Sequence, residues 1–201
     1  DLDGDGKITY GKNTVEHPGD QKVIGNYLPN YEYSFTLGAT YKGFDFSAFF
    51  QGVGKRDFWA VGSLAIPSGG SGYMDAAFEH QMDYWTPTNT GAFYPRPANM
   101  AWNSNAKNFL RQTRYLANMA YLRCKNLTLG YTLPKKWISK WGIDNLRVYV
   151  NIQNLLTITG YDGYDPEIGA STADINGYTY GLDNGRYPSP TTYSFGLNLT
   201  F

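Results

Sequence analysis

The first residues that could do chemistry form an acidic, glycine-containing segment at the start of the chain. Asp1, Asp3 and Asp5 alternate with other residues, Gly6 follows, and Ile8 comes two positions later. In a calcium-binding loop of the EF-hand type, carboxylates at positions one, three and five converge on the cation, and glycine at position six permits the sharp turn. The spacing therefore predicts a weak, structural Ca²⁺ site.

The ligand set of this loop is incomplete in the sequence. A backbone carbonyl at position seven, an oxygen near position nine and a bidentate acid at position twelve complete such a loop. Position twelve is Lys12, so the strongest ligand is missing unless an insertion brings Asp20 or Glu16 into its place. A bound Ca²⁺ or similar ion and a solvated acidic turn both remain open, and no other cofactor is required. The candidate ligands are Asp1, Asp3, Asp5, Lys7, Thr9 and Asp20.

Residues that could catalyse a reaction are few. The chain has two histidines, and Glu79-His80 lacks the second histidine that a zinc-protease motif requires. Cys124 is the single cysteine of the sequence, which excludes an intrachain disulfide and a cysteine-based metal site. A glycine-rich phosphate loop is also missing from the sequence. We therefore predict that the protein is not an enzyme.

Composition narrows the class of partner. Lysine plus arginine and aspartate plus glutamate both count 17, so the formal net charge is zero and no basic field exists to hold a nucleic acid. Charged residues make up 17%, below the usual quarter, whereas aromatic residues reach 17% and include 18 tyrosines. No apolar run approaches the ~18 residues of a spanning helix. Such an aromatic excess suits interfacial belts or sugar-stacking surfaces.

The elements that must position these residues are predicted to be strands, most clearly at the end of the chain. Large apolar residues alternate strictly with small or polar ones over residues 193–201. A period of two is the strand signature, because successive side chains point to opposite faces of a sheet. Aromatic residues at both ends of the apolar face are typical of an outer-membrane barrel strand, although a soluble sandwich strand gives the same alternation. The apolar positions, also assigned as a C-terminal barrel-assembly signal, are Tyr193, Phe195, Leu197, Leu199 and Phe201.

Four further strands are predicted upstream. Alternation over residues 31–41 and 44–50 indicates a hairpin that turns at Gly43, and alternation resumes over 127–133 and from Leu146. About five strands can therefore be counted. Five strands cannot close a membrane barrel, whose smallest single-chain form has eight. We interpret the chain as all-β, the C-terminal strands of a large antiparallel transmembrane β-barrel.

The connections between these strands alternate in length. Those at Gly43 and 134–144 are short, whereas those at about 52–117 and 160–190 are long. Alternating short and long connections are what an up-and-down barrel that crosses a membrane produces. The predicted divisions are an extracellular loop with the Asp-rich motif over residues 1–29 and the barrel portion over residues 30–201.

One stretch departs from the alternation. Between Leu122 and Asn126, the charged residues Arg123 and Lys125 are in phase with the apolar positions. A β-bulge or the edge of the membrane would explain this irregularity.

Eight short blocks follow one another in a familiar order. They are Gly25-Asn-x-x-Pro29, Phe49-Phe-Gln-Gly-Val-Gly54, Tyr121-Leu-Arg, Asn126-Leu-Thr-Leu-Gly-Tyr-Thr-Leu-Pro134, Leu146-Arg-Val-Tyr-Val, Gln153-Asn-Leu155, Gly163-Tyr-Asp-Pro-Glu167 and the closing residues 193–201. Together they resemble the C-terminal third of the SusC/RagA family of TonB-dependent outer-membrane transporters of Bacteroidetes. The resemblance covers nearly the whole chain outside the two long loops.

The resemblance implies a fold and a function. The chain would supply the final strands of a 22-stranded barrel with an N-terminal plug, in the cell outer membrane. Members import oligosaccharides or peptides, drive plug displacement through TonB, and carry a SusD-like lipoprotein as a lid. The expected partners are that lipoprotein, the upstream remainder of barrel and plug, the TonB complex, outer-membrane lipid and a glycan or peptide substrate. A soluble carbohydrate-binding β-sandwich and a non-transporting barrel scaffold remain as alternatives.

Aromatic residues of the loops and polar residues of the strands have two interpretations each. The aromatic side chains stack on substrate sugar rings, or they pack loop on loop or against the lipoprotein lid. Polar strand residues such as Asp45, Gln51, Arg147, Asn151 and Gln153 line the substrate path, or they pack against the plug. The candidate contact residues are Trp59, Tyr73, Trp85, Trp102, Tyr161 and Tyr164.

Overall fold

The computed structural model describes residues 1–60, 78–96, 112–167, 182–183 and 187–201. Strands dominate, and helices able to cross a membrane are absent from these residues. In chain order the strands are β1 (Glu32–Tyr41), β2 (Phe44–Val53), β3 (Asp57–Ala60), β4 (Leu116–Asn118), β5 (Tyr121–Thr132), β6 (Asn145–Thr159), β7 (Leu182–Asp183) and β8 (Thr192–Thr200). Helix α1 is Lys135–Ile138, and 3₁₀ turns lie at Glu79–Met82, Thr113–Tyr115 and Ser139–Trp141.

The described strands form two sheets. β1, β2, β5, β6 and β8 are neighbours in that order, and every pair is antiparallel. This confirms the predicted all-β architecture of about five strands. A second sheet, which we call the rim sheet, has the order β4-β3-β7, with β3 and β7 parallel. Its strands have two to four residues, too few for alternation to reveal them in the sequence.

The register gives the five-stranded sheet one apolar face and one polar face. Residues directly opposite each other on antiparallel strands share a face. One row across all five strands of the apolar face is Ala39, Phe46, Leu129, Val150 and Phe195. One row of the polar face is Gly38, Ser47, Thr128, Asn151 and Ser194.

The apolar face is open to the surroundings. Phe195 is 86% exposed and Leu129 is 45% exposed, and Phe35, Phe46 and Leu197 are exposed as well. In a β-sandwich, a second sheet ~10 Å away covers such side chains. Within the described ranges no second layer covers this face.

A β-bulge at Lys125 explains the irregular stretch of β5. Between Cys124 and Asn126 the register shifts against both neighbouring strands. Lys125 is the extra residue against β2, whereas on the other side it stands opposite two residues of β6, Asn154 and Leu155. One extra residue moves the side chains beyond it to the other face of the sheet. Arg123 consequently lies on the polar face, opposite Gln51 of β2.

The two ends of the sheet differ. At one end, the short-turn rim, Lys42 and Gly43 join β1 to β2 with φ values of 48° and 89°, the two positive angles of a type I′ turn. The connection over residues 133–144, which contains α1, lies at the same end. The other end, the long-loop rim, carries the rim sheet and the connections from β2 to β5 and from β6 to β8.

Buried side chains are concentrated at the long-loop rim. Phe58 of β3 and Met119 are almost completely buried, and the Met119 N–H donates to the carbonyl of Arg56 at 2.8 Å. Trp59 is also buried, with its ring edge-on to Tyr115 at 5.9 Å between centroids. The rim sheet therefore has an apolar core of its own, which holds the described parts of the long connections above the end of the large sheet.

Candidate functional site

Three carboxylates converge in the acidic loop near the start of the chain. Oxygen atoms of Asp1, Asp3 and Asp20 all lie within 4.8 Å of one another. Asp1 accepts hydrogen bonds from the N–H groups of Gly4 at 2.7 Å and Gly6 at 3.0 Å, which fixes its carboxylate. A donor set of carboxylate oxygens suits a hard cation such as Ca²⁺.

An inserted turn supplies the acid that position twelve lacks. Residues 10–19 leave and re-enter the loop side by side, and a Cβ on Gly11 would lie 2.7 Å from the backbone nitrogen of Gly19. The Asp20 N–H donates to the Thr9 carbonyl at 2.9 Å, and the Thr9 N–H donates to Asp20 Oδ2 at 2.7 Å. These contacts bring Asp20 to the two upstream aspartates.

Asp5, the other predicted carboxylate ligand, lies outside the converging group. Asp5 Oδ1 accepts a hydrogen bond from the N–H of Lys7 at 2.7 Å. Thr9 Oγ1 accepts one from Gly11 at 3.3 Å. Glu16, the other acid considered for position twelve, is exposed on the inserted turn.

The ionisation of Asp20 suits a cation ligand. Hydrogen bonds from the backbone N–H groups of Thr9 and Leu2 lower the pKa of the Asp20 carboxyl below its ordinary value. Metal ligands must be deprotonated to bind. Asp20 therefore stays available as a charged oxygen donor to lower pH than an ordinary aspartate.

On the polar face, a charged pair bridges across β5. Arg147 donates from Nε to Asp45 Oδ1 at 2.8 Å and from Nη2 to Asp45 Oδ2 at 2.5 Å. The pair passes over Gly130, where a Cβ would lie 2.5 Å from atoms of both side chains. The guanidinium also lies 4.8 Å from the ring centre of Tyr149. Two parallel hydrogen bonds give this pair a fixed geometry.

Further along the polar face, amide and hydroxyl groups bond to one another. Asn151 Nδ2 donates to Asn126 Oδ1 at 2.6 Å and to Thr128 Oγ1 at 2.8 Å. The Tyr149 ring lies over Gly196, whose Cβ would be 2.1 Å from it. This face presents polar groups suited to hydrating or hydrogen-bonding a solute.

Four charged residues form a cluster where β5 meets the connection after β6. Arg123 Nη2 lies 2.5 Å from Asp165 Oδ1, and Nη1 pairs with Glu167. Lys125 Nζ lies 2.6 Å from the other oxygen of Glu167. Arg123 Nε donates to Thr157 Oγ1 at 2.8 Å. The side chains of Arg123 and Asp165 are only 5% and 1% exposed, so neither charge is solvated by water and each depends on the other.

Asp165 also ties two distant parts of the connection together. Its Oδ1 accepts the N–H of Glu167 and its Oδ2 accepts the N–H of Ser189, both at 3.0 Å. Burial alone would raise the pKa of Asp165, but hydrogen bonds from Arg123, Ser189 and Glu167 outweigh it and the net pKa is lowered. Arg56 adds a bond from Nη2 to the Pro166 carbonyl at 2.6 Å. The segment around Asp165 is therefore fastened to the large sheet and to the rim sheet.

The structure separates the six aromatic contact candidates. Trp59 is buried in the rim core, whereas Tyr164 is 58% exposed. Trp85 is 38% exposed, and its backbone N–H donates to the backbone carbonyl of Tyr94 at 2.9 Å. The Tyr161 ring packs against the backbone of the neighbouring turn at Gly163. The two candidates that lie outside the described residues are Tyr73 and Trp102.

The C-terminal signal residues share one face of β8. Tyr193, Phe195, Leu197 and Leu199 pair with apolar-face positions of β6, and all four are exposed, as is Phe201. Their exposed row continues the apolar face to the last strand of the sheet.

The charged cluster was not identified as a site from the sequence. The signal available was the pair Arg123 and Lys125, which break the alternation of β5. Their acidic partners, Asp165 and Glu167, are 42 to 44 residues away in the chain, and no local spacing connects the two pairs.

Comparisons with known proteins identify several TonB-dependent receptors as relatives of this chain. No family model matches the chain. TonB-dependent receptor P3 of Formosa agariphila is 35% identical over 205 residues, which cover 100% of this chain and 18% of the relative. TonB-dependent receptor P26 of the same organism is 28% identical over 100% of this chain and 19% of the relative. TonB-dependent receptor SusC of Bacteroides thetaiotaomicron is 35% identical over 89 residues, which cover 43% of this chain and 8% of SusC.

Solved structures agree with the sequence relatives. A chain of the RagAB peptide importer in the "open-open" state matches 94% of this chain with a TM-score of 0.67 and 26% identity. The "closed-closed" state of the same importer gives a TM-score of 0.68. The match covers 19% of that importer chain in both states, so the present chain spans about a fifth of the length of the proteins that it matches. The described sheet corresponds to part of a large barrel.

Proposed function

Because the chain belongs to the SusC/RagA family of TonB-dependent receptors, we propose that it forms part of an importer of oligosaccharides or peptides across the outer membrane. A SusD-like lipoprotein covers the outer mouth, and the TonB complex supplies the energy through the plug. The relatives' names support transport rather than catalysis. The chain itself spans about a fifth of the length of these relatives.

The observation that carries the proposal is the two-faced, single-layer sheet. Its apolar face is exposed along all five strands, and its polar face holds paired charges and amide networks. In water, an open apolar face of this size has no stable environment. In a membrane barrel the same face meets lipid while the polar face lines the interior. The apolar residues of β1 run from Tyr33 to Tyr41, and this span of nine residues lies within the about 9–11 residues of a tilted membrane-spanning strand.

The residues of the polar face and of the long-loop rim have separate roles in this proposal. The Asp45–Arg147 pair and the Asn151 network form a rigid, polar part of the lumen wall. The cluster around Arg123 fastens the connection after β6 at the outer mouth. Tyr164 directly precedes Asp165 of this cluster in the sequence. It is the most exposed of the described aromatic candidates, and is therefore the one best placed to contact substrate or lid.

Uptake by cells tests the proposal. Labelled oligosaccharides and labelled peptides are offered to a strain that lacks the gene and to the same strain complemented with it. We expect uptake of one of the two classes to depend on the gene and to stop when TonB is deleted. A barrel that serves only as a scaffold would restore membrane assembly but no uptake of either class.

We also propose that the acidic loop holds Ca²⁺. Asp1, Asp3 and Asp20 offer converging carboxylates, and the hydrogen bonds to Asp20 keep it charged. A bound cation would cross-link the inserted turn to the start of the loop. Its role here is structural, because the segment that leads from the loop to β1 is held to β3 by a hydrogen bond from the Asp57 N–H to the Asn26 carbonyl at 2.8 Å.

A further inference from the structure

The short-turn rim exposes two tryptophans on one short helical segment. Helix α1 and the 3₁₀ turn Ser139–Trp141 bury Ile138 completely. Trp137 and Trp141, by contrast, are 55% and 73% exposed. Both exposed rings therefore lie on the one short connection between β5 and β6. Exposed tryptophan is favoured where one end of the ring meets an apolar phase and the other meets water.

The same rim is rich in lysine. Lys136 and Lys140 are exposed and again four residues apart, and Lys42 is exposed on the β1–β2 turn. Lys135 is paired with Asp144 at 2.8 Å. The short connections, residues 42–43 and 133–144, thus contain four lysines against one aspartate, a formal net charge of +3 in a chain whose total is zero. The positive charge is concentrated where the tryptophans are.

The apolar face of the sheet reaches the same rim. The last full row before the rim contains Tyr41, Phe44 and Tyr131, and the Phe44 and Tyr131 rings are 4.5 Å apart. The exposed apolar face of the sheet therefore ends in an aromatic row at the rim that carries the exposed tryptophans and lysines. A bilayer leaflet likewise passes from acyl chains to an interface with charged headgroups.

We propose that the short-turn rim binds phospholipids with anionic headgroups, with Lys136 and Lys140 on the phosphate groups and Trp137 and Trp141 at the headgroup level. The inference rests on the proposed function insofar as it needs the sheet to span a membrane. In such barrels the short turns face the periplasm, so the lipids belong to the inner leaflet. A lysine near an anionic lipid surface favours binding about fivefold.

The test uses the full transporter, extracted in mild detergent from membranes that contain phosphatidylglycerol and phosphatidylethanolamine. Retained lipids are quantified by mass spectrometry after washing. We expect the wild type to enrich phosphatidylglycerol and the double variant K136Q/K140Q to lose that enrichment by more than tenfold, at about fivefold per lysine. Lys12 is an exposed lysine of the acidic loop and not part of the short-turn rim, so Lys12→Gln is the matched control and should change nothing.

Two further measurements keep the outcome clear. Washing the wild type at 1 M instead of 0.1 M salt shortens the Debye length from about 10 Å to about 3 Å, and should remove the enrichment without any substitution. Heat-modifiable migration of each variant reports whether its barrel is folded. Equal retention of the two lipids by the wild type, or unchanged enrichment in a folded K136Q/K140Q variant, would overturn the inference. Uptake is measured separately. If the wild-type protein keeps its lipid enrichment but supports no uptake, the transport proposal fails and the lipid inference stands.

Discussion

Asp45 and Arg147 pair across a strand that lies between them, and they can do so because residue 130 is glycine. The two carboxylate oxygens and two guanidinium nitrogens meet over Gly130, at a point where a Cβ would lie 2.5 Å from each partner. Because Gly130 of β5 has no side chain, one ion pair on the polar face can link β2 to β6 across β5.

We predict that Gly130→Ala destabilises the barrel by separating this pair. The added methyl group forces both side chains aside, and overpacking of this kind costs about 1–3 kcal/mol. Gly38→Ala on the same face is the matched control, because its Cβ would meet only the Phe46 carbonyl at 3.6 Å. Urea unfolding of the refolded full protein measures both. Equal unfolding midpoints for the two variants would show that the close approach over Gly130 does not matter.

The buried cluster at the long-loop rim predicts a strong coupling between Arg123 and Asp165. Arg123→Met leaves the carboxylate of Asp165 buried without its partner, and breaking a buried pair in this way costs about 3–5 kcal/mol. Lys135→Met, which breaks an exposed pair with Asp144, should cost far less, because water screens a surface pair. A double-mutant cycle with Asp165→Asn measures the coupling by unfolding. Additive effects of the two substitutions would contradict it.

We predict that the connection after β6 loses its attachment through Asp165 only at acid pH. The pKa of Asp165 is lowered in the folded protein, relative to about 3.9 in an unfolded chain. Its contribution to stability is therefore fully present above about pH 4 and is lost as pH falls through the lower, folded pKa. Hydrogen exchange at the amides of Glu167 and Ser189, corrected for the intrinsic rate, should stay slow down to about pH 4 and quicken below it. In Asp165→Asn that pH dependence should vanish; if it persists, another group controls the attachment.

Calcium binding should depend on three particular acids. Isothermal titration of the full transporter is expected to give a heat of Ca²⁺ binding that Asp3→Asn and Asp20→Asn abolish. Glu16→Gln, in the same loop but outside the converging group, is the control and should bind as the wild type does. Asp20 accepts hydrogen bonds from the backbone N–H groups of Leu2 and Thr9, whereas Asp3 accepts only a longer one from Asp5 at 3.2 Å, so Asp3→Asn disturbs the loop less and is the more decisive variant. Unchanged heat in Asp3→Asn would mean that the loop is an acidic turn without a metal.

Two aromatic candidates should behave in opposite ways. Trp59→Ala removes a buried ring from the rim core and should cost about 3–5 kcal/mol of stability. Tyr164→Ala removes an exposed ring and should leave stability within about 0.5 kcal/mol while weakening uptake. Unfolding and uptake are measured on both variants. If Tyr164→Ala transports normally, Tyr164 has no part in recognition.

Much of the large sheet was predictable because its strands are amphipathic. Period-two alternation placed β1 and β8 within one residue at each end and β2 except for its last three residues, and Gly43 predicted the turn that the structure forms with Lys42. The acidic loop was predicted from spacing, and Asp20 was among its candidate ligands. The rim sheet was not predicted, since strands of two to four residues have too few positions to display a period.

What the sequence determined by itself was therefore the two-faced character of each strand, because that character is written into alternate residues. What only the tertiary structure decided were the partnerships between residues far apart in the chain. Arg123 reached Asp165 because a bulge at Lys125 turned it to the polar face, and Asp45 reached Arg147 because Gly130 left room between them. Both depend on register and on backbone approach, which exist only once the strands are side by side.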